Sequence, residues 1–120
     1  MTLRRMKTYT GQTGYVYQYY FVGKREALPD DADAPAAEYI FDVTADRKTM
    51  FAVSVLLRQT ALDAWQAAHG RALTDPEQYA AAKLRLFQGF DEVEKMQAAG
   101  RRLVIEGNAI ASLLEQIGVE

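Results

Sequence analysis

The sequence predicts an α+β domain: a three-stranded antiparallel meander, extended by a fourth short strand near Val104, packed on one face by two to four C-terminal helices. Three observations predict it. Apolar residues alternate with period two in three runs between residues 13 and 57. The two connections between the runs are a proline- and aspartate-rich loop and a short polar turn, which suit antiparallel neighbours. From Thr60 onward the apolar period changes to 3.6, with helix start and stop signals between segments.

Residues 1–12 show no periodicity and are expected to form a mobile tail, leaving 13–120 as one domain. Thr13 to Lys24, TGYVYQYYFVGK, is dense in aromatic and β-branched residues and reads as the first strand. Tyr15, Tyr17, Tyr19 and Phe21 share one face; Val16, Gln18, Tyr20 and Val22 share the other. A solvated loop with Pro29, Pro35 and three aspartates follows. Glu38 to Thr44 alternates, with Tyr39, Phe41 and Val43 on its apolar side. Residues 45–48 make a hairpin turn into Thr49 to Leu57, whose two sides are both largely apolar, so both should be covered.

Thr60 and Asp63 form a helix-start signal, and Gly70 a stop; Leu62, Trp65 and Ala68 mark the inner face. A second helix starts at Asp75 as N-cap, with Pro76 at the first position and Gln78 at the third. Its stripe is Tyr79, Leu86, Phe87, Phe90 and Val93. Gly89 is a candidate break, with Asp91 and Glu94 spaced for a restart. Residues 102–106 make the short fourth strand. Asn108 caps a last helix with Ile110, Leu113, Leu114 and Ile117 on one side.

Composition excludes several classes. The chain has 120 residues and no cysteine, so thiolate zinc sites and iron–sulfur clusters are out. One histidine, His69, cannot make a histidine-rich metal site, and neither metal nor cofactor is expected. A net charge of −2 argues against a strongly basic nucleic-acid binder. No window has the ~20 apolar residues of a membrane span, and no apolar stretch follows Arg4, Arg5 and Lys7, so a soluble cytoplasmic protein without a signal peptide is expected. Nineteen alanines, and nine arginines against five lysines, suggest a bacterial source.

Five aromatics lie between Tyr15 and Phe21, the most unusual feature of the chain. Three readings follow: a core-facing strand, a homodimer interface, or a stacking platform for single-stranded nucleic acid, with Lys24 and Arg25 as phosphate contacts. Residues 1–25 carry five basic and no acidic side chains, and 26–46 seven acidic and no basic ones. Pairing of these segments would neutralise the basic block and weakens the third reading. Gly14-Tyr15-Val16-Tyr17 faintly echoes an RNA-recognition-motif strand, but Thr13 stands where that motif needs a basic residue.

Tyr79-x-x-x-Lys83 matches the catalytic pair of short-chain dehydrogenases, in which a lysine one turn away lowers a tyrosine pKa. The glycine fingerprint is missing and the chain is too short, so the match is coincidence. Lys83 is expected to snorkel or to pair with a strand carboxylate such as Asp42; the alternative is a Tyr79–Lys83 pair facing a pocket. His69 suits a helix C-terminus and has no marked nucleophile, Ser54 being mid-strand and Ser112 on the last helix. The Asp31–Pro35 run lacks the glycine and glutamate of a calcium loop. Gly11 and Gly14 resemble the backbone clamp of KH domains, but a strand follows.

The leading expectation is a non-enzymatic interaction module that self-associates through its aromatic strand as a homodimer. A single-stranded nucleic-acid or small-ligand binder using the sheet is second, and a small enzyme built on Tyr79 and Lys83 third.

Overall fold

A computed structural model describes residues 6–11, 14, 16–27, 35–93, 96, 101–107 and 109–119. They form an α+β fold. The strands are β1 (Lys7–Thr10), β2 (Val16–Ala27), β3 (Ala36–Thr44), β4 (Phe51–Arg58) and β5 (Arg102–Ile105). The helices are α1 (Gln59–His69), α2 (Asp75–Glu92) and α3 (Ala109–Glu115). No helix among the described residues is long and apolar enough to cross a membrane.

The strands lie in the order β1-β2-β3-β4-β5. The first four pair antiparallel, and β5 pairs parallel with β4. The expected meander is therefore the centre of a larger, mixed sheet. Its fourth strand is parallel because α1 and α2 intervene and carry the chain back along the sheet. The expected tail also needs correction: residues 7–10 are a strand. KTYT has no apolar alternation, and its anchor is the single ring of Tyr9, which stacks on Phe87 at 4.4 Å and donates to Asp91 Oδ2 at 2.8 Å. That contact spans 82 residues and leaves no local trace. Gly11 and Gly14 form the turn between β1 and β2, with Gly14 at φ 91°, where a side chain would be strained.

Alternation places one set of side chains inward. Tyr17, Tyr19, Tyr39, Phe41, Val43, Val53, Val55 and Leu57 are buried in one core with Trp65, Leu86, Phe90 and Leu114. All buried apolar residues of the three helices belong to this cluster, so the helices cover one sheet face, as expected. Leu56 and Ala36 are buried outside it. Leu56 lies between Glu38 and Val104 in register, so its own sheet neighbours flank it on the far face.

Helix boundaries shift for local reasons. β4 runs straight into α1, so Arg58, not Thr60, is the N-cap. In α2 the N-cap is Thr74, not Asp75. Thr74 Oγ1 accepts from the Glu77 N–H, and Glu77 Oε1 accepts from the Thr74 N–H at 2.9 Å, a reciprocal capping box. Arg71 grips the same carboxylate at 2.9 and 3.0 Å. Gly89 does not break the helix, which continues to Glu92. A Cβ there would meet Leu103 Cδ1 at 2.7 Å, so the glycine serves close packing of α2 on β5. Asp91 is in the last turn of α2 rather than at a restart, and Glu94 and Asn108 lie outside the described residues. Ile117, expected in the last apolar stripe, is 49% exposed because α3 ends at Glu115.

Candidate functional site

The aromatic strand turns its rings inward. Tyr17 stacks on Phe90 at 4.4 Å, and Tyr19 meets Phe87 and Phe41 edge-on. They are 2% and 4% exposed, in the position the core-facing reading gives them, and α2 supplies the cover that the sequence left open. Tyr15 lies outside the described residues. Phe21 is different. It packs against Tyr39, Phe41 and Tyr79 yet remains 39% exposed.

The reason is the edge. β1 pairs only with residues 16–19 of β2. From Tyr20 to Ala27, β2 has β3 as its only hydrogen-bonded neighbour among the described residues. Phe21 sits just past the described pairing of β1 with β2. The edge carries the features that discourage strand addition: a register shift between Phe21 and Gly23, then Lys24, Arg25 and Glu26.

Lysines lie beside the rings that neighbour Phe21. Lys24 shares the inner face, paired with Tyr39, and its Nζ lies 5.4 Å from the centre of that ring. Lys83 Nζ lies 6.0 Å from the centre of the Tyr79 ring, which itself meets Phe21 at 5.0 Å. Lys7 pairs with Tyr19, also inward. Burial, and then the neighbouring Lys7 ammonium, hold the Lys83 pKa below the usual lysine value. Burial raises the Tyr19 hydroxyl, as does the neighbouring Tyr79. Burial likewise raises Tyr39, against the opposing charge of Lys24.

The expected Lys83–Asp42 ion pair is absent. Asp42 points to the far face, where it accepts from the Tyr20 hydroxyl at 2.7 Å. Lys24 and Arg25 do not act together either, because adjacent strand residues point to opposite faces. Arg25 pairs with Glu38 on the far face. Glu38 Oε2 also accepts from Ser54 at 2.6 Å, and Arg102 stands opposite Ser54. Arg25 first, then Ser54, hold the Glu38 carboxyl below its usual range, against the effect of burial. This polar ladder crosses four strands, and reading it requires the register. Though on opposite faces, Lys24 and Arg25 both line a cavity of about 270 Å³, with Glu26, Gln59, Leu62 and Gln78 among its other walls.

His69 stacks on Trp65 at 4.1 Å and contacts the Trp65 carbonyl through Nδ1, a helix-end role. No cluster of metal-ligating side chains occurs among the described residues. Tyr79 and Lys83 do come together beside the open edge, through the face of the ring. The sequence reading placed Lys7 in the expected tail.

No protein-family model, no curated protein and no solved structure matches the chain.

Proposed function

We propose that this chain is a non-enzymatic binding module for a small anionic ligand carrying a flat unsaturated ring. The observation that supports this is Phe21: an exposed ring on a strand edge without a pairing partner among the described residues, with Lys24 beyond it on the same face and Lys83 and Lys7 by the neighbouring rings of Tyr79 and Tyr19. An aromatic face offers a ligand ring stacking area, and the ammoniums attract its negative group. From Lys24 to Tyr19 is five strand residues, roughly 16 Å, the reach of a small molecule. With Tyr17 and Tyr19 buried and a net charge of −2, an extended nucleic-acid strand fits less well. The test is calorimetric titration of the full chain with adenosine monophosphate. Binding that falls at least tenfold in Phe21→Ala supports the reading, and binding unchanged by Phe21→Ala overturns it.

Self-association has its own support on the opposite face of the same strand. Val16 and Val22 are 46% and 42% exposed. Light scattering at two salt concentrations tests it: a salt-independent dimer that Val22→Asp splits would favour this reading, and a monomer would remove it.

A further inference from the structure

Two lysines converge on one point of the fold from elements far apart in the chain. Tyr9 of β1 stacks on Phe87 and reaches Asp91, which fixes β1 along α2. Stepping back two strand residues, from Tyr9 to Lys7, covers roughly 6.6 Å. Stepping back one helical turn, from Phe87 to Lys83, covers about 6 Å. The two steps match, so Lys7 is carried over Lys83. Both side chains flank Tyr19, Lys7 as its partner in register and Lys83 as neighbour to the Phe87 that Tyr19 touches edge-on. Neither lysine makes an ion pair among the described residues. Asp91 of α2 accepts from Tyr9. Two facing ammoniums beside buried rings lack a countercharge that a doubly negative group would supply.

We infer that Lys7 and Lys83 form a subsite for a phosphate dianion, supplied either as inorganic phosphate or as a phosphomonoester. This deepens the ligand reading above by naming its anionic group, with Phe21 and Tyr79 as the surface for the remainder of the ligand. A bound dianion would draw the depressed Lys83 pKa back up.

The test uses the full chain with its lysine side chains labelled at Cε, titrated at pH 8 with sodium phosphate and, at equal ionic strength, with sodium chloride. The expected result is a saturable shift of the Lys7 and Lys83 signals with phosphate alone. Lys83→Met and Lys7→Met should each weaken phosphate binding about tenfold or more, the cost of losing a charge-assisted contact. Equal shifts with chloride, or a phosphate response that survives both methionine variants, would overturn the inference. Should neither variant fold, the phosphate–chloride comparison on the wild type still decides. A second titration with adenosine monophosphate separates the two proposals. Binding of the nucleotide that depends on Phe21, without binding of phosphate, leaves the ring site standing and removes the subsite. Phosphate binding that the nucleoside part does not strengthen does the reverse, and also identifies the free anion as the source.

Discussion

Replacing Lys83 with methionine should stabilise the protein. Methionine keeps the length and most of the apolar stem of lysine and removes only the charge. In the folded state that charge is half-buried, has no carboxylate partner among the described residues and faces Lys7. A like-charge contact at a partly exposed site costs about 0.3–1 kcal/mol at low salt, the mirror of the gain from an exposed ion pair. Methionine also buries apolar surface at roughly 25 cal/mol per Å². Against this stands the cation–π contact with Tyr79. At 6.0 Å it lies at the edge of the useful range and so offsets only part of the gain. The balance is a stabilisation of about 0.5–1 kcal/mol, or roughly 2–4 °C in Tm for a domain of this size. The assay is urea unfolding at pH 7 and at several higher pH values. The folded-state pKa of Lys83 lies below its unfolded value of about 10.4. The folded chain therefore releases this proton first, and the wild type gains stability as pH rises through that window. The gap between variant and wild type should be full at pH 7, close as pH passes through the depressed pKa toward 10.4, and shrink in high salt. A variant destabilised by more than about 1 kcal/mol would refute the reasoning, because losing that much implies a buried ion pair.

Gly89→Ala should destabilise by about 1 kcal/mol, since overpacking against Leu103 at 2.7 Å outweighs the gain in helix propensity; thermal unfolding checks the sign. Tyr9→Phe keeps the stack on Phe87 but removes the hydrogen bond to Asp91, and should cost about 1 kcal/mol and speed hydrogen exchange across β1. Glu38→Gln should cost about 1–2 kcal/mol at pH 7 by weakening the contact with Arg25 and Ser54. Because the Glu38 pKa is depressed on folding, its contribution is complete above the unfolded value of about 4.3 and lost as pH falls through the folded value. The gap between Glu38→Gln and wild type should therefore close in acid, as chemical denaturation from pH 3 to 7 would show. Phe90→Ala should cost about 3–5 kcal/mol, as the ring is fully buried and meets Tyr17, Tyr19 and Phe87; a loss under 1 kcal/mol would contradict its place in the core.

The site was only partly legible before the fold was known. Tyr79 and Lys83 stood out because four-residue spacing puts them on one helical face, and the structure brings them together at the open edge. Lys24 and Arg25 stood out as adjacent charges, but strand alternation separates them, one over Tyr39 and the other on Glu38. Lys7 is legible in the sequence only as one of several basic residues near the aromatic strand, not as a strand residue beside Lys83. It matters through the stack of Tyr9 on Phe87, which sequence spacing cannot reveal.

The sequence by itself determined what depends on neighbours within a few residues. Alternation in FDVT and FAVSVLL placed the inward side chains of β3 and β4, and period 3.6 placed Leu86 and Phe90 on the buried stripe of α2. These patterns reflect the repeat of the backbone, which any short segment carries. Only the tertiary structure decided which covered face the aromatic strand would have, that β5 would run parallel, and that β1 would join the sheet. It also decided that the described pairing of β1 with β2 would run from Val16 to Tyr19, with Phe21 partly exposed beyond it. Those outcomes rest on contacts between segments tens of residues apart, where the energy comes from burying surfaces against each other rather than from the preference of either segment alone.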